Sequence, residues 1–300
     1  MPDFIPFPPE ALIRALTMLS LGGLLFAIGL RLELGAVARA LRGCRLGLIL
    51  PLNFVIVPVV VYGFARGFGV PGDYAAGMLL LGAAPFAPVV PVFVKMARGE
   101  LALAAGLTAV FPVFCTLFTP LAAELGLKAL SLDAGVTFRP LTMLAVLFAT
   151  VTAPLLLGLA ARRWLPRLAQ ALLRPLETLA EAAGAVSLAV ITWVESGTLA
   201  ATGWPTLLAM ALASELCFLF GYVAAGGGPS GRVIAFGTAN RNIALAILVA
   251  VETFPGTRIV GGVVANGLLL IFLGLLHVAW YRFIAPETRP AGAPVYKRPQ

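Results

Sequence analysis

The chain has 300 residues, of which 60% are hydrophobic and only 11% are charged. A soluble domain of this length carries roughly 25% charged residues, so the composition excludes a soluble globular protein. The net charge of +8 does not indicate nucleic-acid binding, because the basic residues form no patch interleaved with aromatic side chains.

Apolar blocks of about 20 residues, the length that crosses a hydrocarbon core of ~30 Å, predict an all-α membrane protein with nine spans. The predicted spans cover residues 11–30, 46–65, 74–97, 101–123, 140–161, 176–194, 204–225, 232–252 and 259–281. Because the connections are short, residues 1–300 are predicted to form a single transmembrane domain. Tails at 1–10 and 285–300 are expected to be disordered.

Basic residues are distributed unequally between the two sets of connecting segments. Of the 21 lysines and arginines, fifteen follow the odd-numbered spans, five lie on the opposite side, and Arg241 lies inside a span. Basic residues favour the cytoplasmic side. The sequence therefore predicts a cell (inner) membrane protein with its N-terminus outside and its C-terminus in the cytoplasm.

Two of the predicted spans contain residues that interrupt a helix. Span three has Gly82-Ala-Ala-Pro85 followed by Pro88 and Pro91, and span eight has Gly237-Thr-Ala-Asn-Arg-Asn242 at its centre. Each proline removes a backbone donor and clashes with the preceding turn. These two spans cross in opposite directions, which is typical of an inverted repeat with a solute site where two broken helices meet.

The residues around these interruptions carry a resemblance to a known family. The similar stretches are 26–34, 53–58, Gly82–Pro85, 97–104 with Thr108, Thr119-Pro120, Gly237–Ala244 and Asn266. In these stretches the chain resembles the bile acid:sodium symporter family, which is related to the arsenite-efflux carriers. The resemblance implies two inverted repeats with crossed, discontinuous helices, a panel domain and a core domain, and transport of organic anions by alternating access.

Most residues that would bind sodium in that family are absent here. At the positions that the resemblance assigns to the first sodium site, only Thr108 keeps a side-chain oxygen; the others are Pro88, Val90, Pro91 and Ala104. At the second site, a glutamate and a glutamine are replaced by Ala235 and Ala239. Hard cations need several oxygen ligands, so no metal or sodium site is predicted.

Arg241 is the strongest candidate for solute binding, because an unpaired arginine near the bilayer centre costs ~3 kcal/mol or more. It either contacts an anionic solute or pairs with a carboxylate in a structural role. The other candidate solute-binding residues are Asn240, Asn242, Thr238, Asn53 and Asn266. Glu215 and Thr108 are the candidates for a coupling role, and Glu215 is expected to face the protein interior.

The leading functional interpretation is a secondary transporter for a small organic anion that is not coupled to sodium. One alternative is an efflux carrier for an inorganic oxyacid such as arsenite, but Ala83 and Ala84 occupy the expected place of a reactive cysteine, and Cys115 lies one span later. Another is a sensor or scaffold that keeps the fold without transport. No paired carboxylates, metal cluster or nucleophile–base pair is apparent in the sequence, so neither enzymatic activity nor a cofactor is predicted.

Overall fold

The computed structural model describes residues 9–42, 44–130 and 139–284. In these ranges the chain forms fifteen α-helices joined by short turns and three π-helical segments. The predicted disordered tails lie outside the described residues, except that the backbone of residues 9 and 10 already belongs to the first helix.

The first half of the chain runs from α1 to α7. These helices are α1 (Pro9–Arg31), α2 (Leu34–Ala40), α3 (Leu46–Pro51), α4 (Val57–Gly67), α5 (Gly72–Gly82), α6 (Val90–Met96) and α7 (Leu101–Ala129).

The second half runs from α8 to α15. These helices are α8 (Pro140–Leu147), α9 (Ala153–Trp164), α10 (Pro166–Val194), α11 (Ser196–Ala200), α12 (Trp204–Ala224), α13 (Gly228–Ala239), α14 (Ile243–Thr253) and α15 (Ile259–Ala279).

Eight helical segments of the described chain are long and apolar enough to span a membrane. The remaining predicted span is the pair α5 and α6, whose halves of 11 and 7 residues are each too short to cross alone. The prediction of an all-α membrane protein is confirmed. This span, the third in chain order, is interrupted where the prolines predicted a break.

Two spans contain a π-helical segment that precedes a proline. Leu52–Ile56 joins α3 to α4 ahead of Pro58, and Phe148–Thr152 joins α8 to α9 ahead of Pro154. Proline has no N–H to donate to the preceding turn, and a wider turn accommodates that loss. The first of these segments carries Asn53 and fixes its position beside the interrupted helices.

The helices fall into two groups by their contacts. Helix α1 packs on α9 and α10, and we call α1, α8, α9 and α10 the panel. The core consists of α3 to α7 and α12 to α15, in which α5 packs on α15 and α12 packs on α13. Close approach of α5 and α15 depends on Gly77, since a Cβ there would lie 2.6 Å from the backbone of Gly262.

Candidate functional site

The two interrupted spans meet at their breaks. The first break covers residues 83–89, between α5 and α6, and the second covers residues 240–242, between α13 and α14. Three hydrogen bonds join them: the N–H of Asn242 donates to Ala84 O (2.8 Å), that of Phe86 to Gly237 O (3.2 Å), and that of Ala87 to Asn240 O (3.4 Å). The expectation that the breaks lie side by side is confirmed. We call this junction the crossing.

Side chains of α7 donate hydrogen bonds to two further carbonyl groups of the first break. The Thr119 hydroxyl donates to Ala83 O (2.7 Å), and the Cys115 thiol donates to Pro85 O (3.5 Å). Broken backbone inside a bilayer must find its partners within the protein. The carbonyl groups of residues 83, 84 and 85 therefore all accept a hydrogen bond from the protein itself.

Arg241 lies within the second break and is buried, with 4% of its surface exposed. Its two terminal nitrogens, Nη1 and Nη2, have no hydrogen-bond partner among the described residues. Within the described ranges no carboxylate forms an ion pair with it, and the titratable groups that interact with it are the thiols of Cys217 and Cys115. The guanidinium charge is therefore not matched by a carboxylate in the part of the chain that the structure describes.

Arg241 lines a small cavity inside the core, with a volume of about 20 Å³. The walls come from α4, α5, α12, α13 and α15, and no residue of the panel contributes. The polar lining residues besides Arg241 are Ser214, Cys217, Thr238 and Asn266. A single water molecule needs about 10–15 Å³, so this cavity holds one water-sized particle and no organic solute.

Three of the other predicted solute-binding residues lie at or beside this cavity. Thr238 and Asn266 line it, and the Asn53 amide donates to Thr238 Oγ1 (3.4 Å) and to Ile49 O (2.9 Å). The side-chain oxygens of Asn53 and Asn266 are buried without a partner. Buried polar atoms are usually hydrogen-bonded, so these two oxygens need a partner that the described residues do not supply.

The remaining two asparagines have different surroundings. The Asn242 side chain accepts a hydrogen bond from Leu245 N (3.0 Å) and so caps α14. The Asn240 side chain lies against α15, where a Cβ on Gly274 would be 2.7 Å from Asn240 Oδ1. Asn242 thus has a local structural role in capping α14. Neither asparagine side chain is among those that line the Arg241 cavity.

The two coupling candidates lie away from Arg241. Thr108 donates to Ala104 O (2.8 Å), one turn earlier in its own helix. The expectation that Glu215 faces the interior is wrong, because 45% of its side chain is exposed on the outer surface of α12. Glu215 lies two residues before Cys217, which places the two side chains on different faces of α12. Its basic partner is His277, with 3.1 Å between Glu215 Oε2 and His277 Nε2.

Sequence reasoning missed three residues that the structure brings to the site. Ser214 and Cys217 line the Arg241 cavity, and Cys115 contacts the first break, although it is 30 residues from Pro85. The earlier dismissal of Cys115 as too distant is therefore wrong. The sequence carries one signal for them, because each is a small polar residue within an otherwise apolar span.

One cavity residue connects the site with the sodium positions implied by the resemblance. Ala239, which stands where the second sodium site has a glutamine, lines the same cavity as Arg241. A cavity that would hold a cation in such carriers is here lined by a guanidinium. The guanidinium supplies only N–H donors, whereas Ser214, Thr238 and Asn266 contribute the side-chain oxygens of the lining.

The chain forms a helical, multi-pass membrane protein with two broken spans that cross in its core. This architecture is that of a secondary membrane transporter. The sodium bile acid symporter family matches residues 18–217, two thirds of the chain. The chain belongs to this family.

Two relatives carry names that describe transport. The chain is 23% identical over 241 residues to a probable chloroplastic sodium/metabolite cotransporter of Arabidopsis thaliana, covering 79% of this chain and 59% of that protein. It is 29% identical over 146 residues to an uncharacterized sodium-dependent transporter of Bacillus subtilis, covering 47% of this chain and 43% of that protein. The chain thus spans about half the length of the curated relatives that it matches.

Proposed function

We propose that this membrane transporter carries a small organic anion by alternating access and does so without sodium. The observation that supports this proposal is Arg241, a buried guanidinium in the cavity that also contains Ala239. A fixed positive charge supplies the field that an anionic solute requires. It also repels a second cation by several kcal/mol at the low effective dielectric of a buried site.

The oxygen ligands available to a cation also argue against sodium. Ala235 and Ala239 have no side-chain oxygen, and the carbonyl groups of residues 83–85 each use one of their two lone pairs in a hydrogen bond. Sodium needs about five or six oxygen ligands, as hard cations do. Thr108 has the one side-chain oxygen left at the assigned sodium positions, and Asn53 and Asn266 add two unpartnered oxygens elsewhere in the core, which together are fewer than sodium needs.

Among the candidate solute-binding residues, the geometry favours Arg241 together with Thr238, Asn53 and Asn266. The cavity of about 20 Å³ is too small for an organic anion, so the solute binds when the core opens. Asn240 remains a candidate, since it lies beside the crossing, whereas Asn242 is accounted for by its cap on α14.

The remaining parts of the proposal concern the whole protein. We place it in the cell (inner) membrane with its N-terminus outside, as one transporter domain. Its partners are the bilayer and a small anion, without nucleic acid. If a proton replaces sodium as the coupling ion, the Glu215–His277 pair is the candidate carrier of that proton.

The test is uptake of a panel of small carboxylates into proteoliposomes, with sodium replaced by choline at constant pH. We expect uptake to persist without sodium, to fall at least tenfold in Arg241→Ala, and to recover partly in Arg241→Lys, which lacks the bidentate fork. Arg163→Ala, a change at an exposed arginine of α9, is the control for loss of one positive charge. Uptake that collapses in choline would overturn the sodium-independent mechanism. No uptake of any solute would favour the sensor or scaffold.

A second candidate, efflux of an arsenite-like oxyacid, is favoured by one observation. The Cys115 thiol lies against the first break, where such a carrier would need a sulfur ligand. Arsenite uptake into inverted vesicles, compared between the wild type and Cys115→Ser, distinguishes the two candidates. An unchanged rate in Cys115→Ser would remove this alternative.

A further inference from the structure

Two buried arginines of the eighth span differ in their hydrogen-bond partners. Arg232 Nη1 donates to Ala97 O (2.9 Å) and Arg98 O (3.1 Å), and its guanidinium lies 4.6 Å from the centre of the Tyr281 ring. Arg241 Nη1 and Nη2 have no such acceptors. Both side chains are about equally buried, so the difference between them is in their partners.

An unpaired guanidinium in the core needs a negative partner. Burial of an uncompensated charge costs several kcal/mol, and structures avoid it by pairing the charge. The two thiols that interact with Arg241 are weak acceptors. The described part of the chain offers no carboxylate partner, so the charge is left for a bound anion.

The size of the Arg241 cavity restricts which anion fits. About 20 Å³ accommodates a particle of roughly the size of one water molecule, which excludes carboxylates, phosphate and sulfate. Chloride is larger than water but smaller than any of these oxyanions. Apolar side chains such as Val57, Leu81 and Leu270 complete the walls, and they strengthen an ion pair by excluding solvent.

One further feature favours an anion over a neutral water. Ser214, which is buried and lines the cavity, can donate its hydroxyl proton alongside the guanidinium. Hydrogen-bond donors of two side chains therefore meet at one small cavity.

We infer that the Arg241 cavity binds one inorganic anion of the chloride class when the core is closed. This inference rests on the proposed function in one respect, namely that Arg241 supplies the positive charge for the transported solute. The halide serves as the counter-ion of Arg241 while no organic anion is bound. Chloride and the organic anion therefore compete for Arg241.

The experiment measures thermal unfolding of the purified full chain while chloride or bromide replaces gluconate at constant ionic strength. A ligand that binds the native state raises the unfolding temperature in a saturable way. We expect saturable stabilisation by both halides in the wild type and none in Arg241→Gln. Arg232→Gln is the matched control, because it removes a buried guanidinium that already has acceptors; it should retain the halide response.

A second variant keeps the test informative if Arg241→Gln does not fold. Ala213 lines the cavity, and Ala213→Val adds two methyl groups that reduce its volume, so this variant should weaken the halide response at least tenfold in apparent affinity. The inference is overturned if the wild type shows no saturable response, or if Arg241→Gln responds like the wild type. Halide stabilisation without organic-anion uptake would reject the proposed function alone; the reverse result would reject this inference alone.

Discussion

The ring of Phe86 lies over the Cα of Gly237, in the space that a Cβ at Gly237 would occupy. Phe86 has a φ of 57°, which is uncommon for a residue with a side chain, and its N–H donates to Gly237 O (3.2 Å). The ring also stacks on Phe111 with 4.2 Å between centroids. The two broken spans are thus joined by an aromatic side chain as well as by backbone hydrogen bonds.

We expect Gly237→Ala to destabilise the protein by about 1–3 kcal/mol, because the new methyl group overlaps the Phe86 ring and the core cannot expand freely. Thermal unfolding in detergent measures the effect. Gly63→Ala is the matched control, since a Cβ at that exposed position of α4 meets nothing within 4 Å. Equal stability of the two variants would show that the Phe86 ring can move aside for a Cβ at position 237.

A second prediction concerns an ion pair between the panel and the core. Arg14 Nε on α1 lies 2.5 Å from Glu252 Oε1 on α14. Because Arg14 is half exposed, we expect a coupling energy below about 1 kcal/mol in a double-mutant cycle. Its larger effect should be on transport, since the proposed alternating access requires the panel and the core to move relative to each other.

Reversal of one charge tests this pair. Arg14→Glu should slow uptake, and the exchanged pair Arg14→Glu with Glu252→Arg should restore at least half of it. Lys128→Glu, which disrupts an exposed ion pair with Glu124 within α7, is the control. If the exchanged variant is as slow as the single one, the pairing itself is not what uptake requires.

The third prediction addresses Glu215. If the Glu215–His277 pair carries the coupling proton, Glu215→Gln should fold normally and flatten the pH dependence of uptake, since glutamine cannot exchange a proton. Glu181→Gln, at an exposed carboxylate of α10, should leave the pH profile unchanged. The measurement is initial uptake between pH 5 and 8, and an unaltered profile in Glu215→Gln would remove this residue from the coupling role.

The fourth prediction tests orientation through Cys44, which lies between the first two spans and is partly exposed. Cys115 and Cys217 are buried, so a membrane-impermeant maleimide should react with Cys44 alone. With the N-terminus outside, labelling should occur in inside-out vesicles and be at least tenfold slower in right-side-out vesicles. The opposite result would reverse the topology.

The same thiol gives a pH prediction. Burial, and secondly the negative charge of Glu100, raises the pKa of Cys44 above its ordinary value of 9.0. Only the thiolate reacts, so the labelling rate should keep rising with pH beyond the point at which a free thiol levels off. Glu100→Gln should lower the pKa and speed labelling at pH 8, but only in part, because burial is the larger cause.

The breaks and spans could be predicted because proline, glycine and polar residues within apolar blocks change backbone hydrogen bonding directly. The direction of Glu215 could not, since α12 is apolar on nearly all sides and its sequence indicates no preferred inner face. Likewise, no local signal places Cys115 against Pro85, because that contact arises from the packing of α7 on the first break. Arg241 was found because a charge inside an apolar span is conspicuous, whereas its cavity depends on five helices.

The bonds that join the two broken spans have a consequence for how such carriers diversify. All three connect main-chain atoms, so they impose no requirement on the side chains at positions 84, 86, 87, 237, 240 and 242 beyond compatible shape. Substitutions beside the crossing can therefore change which ion binds there without altering the backbone hydrogen bonds of the crossing. If Arg241 binds the solute as proposed, an arginine beside such a backbone frame changes the charge that a carrier recognises while the architecture stays the same.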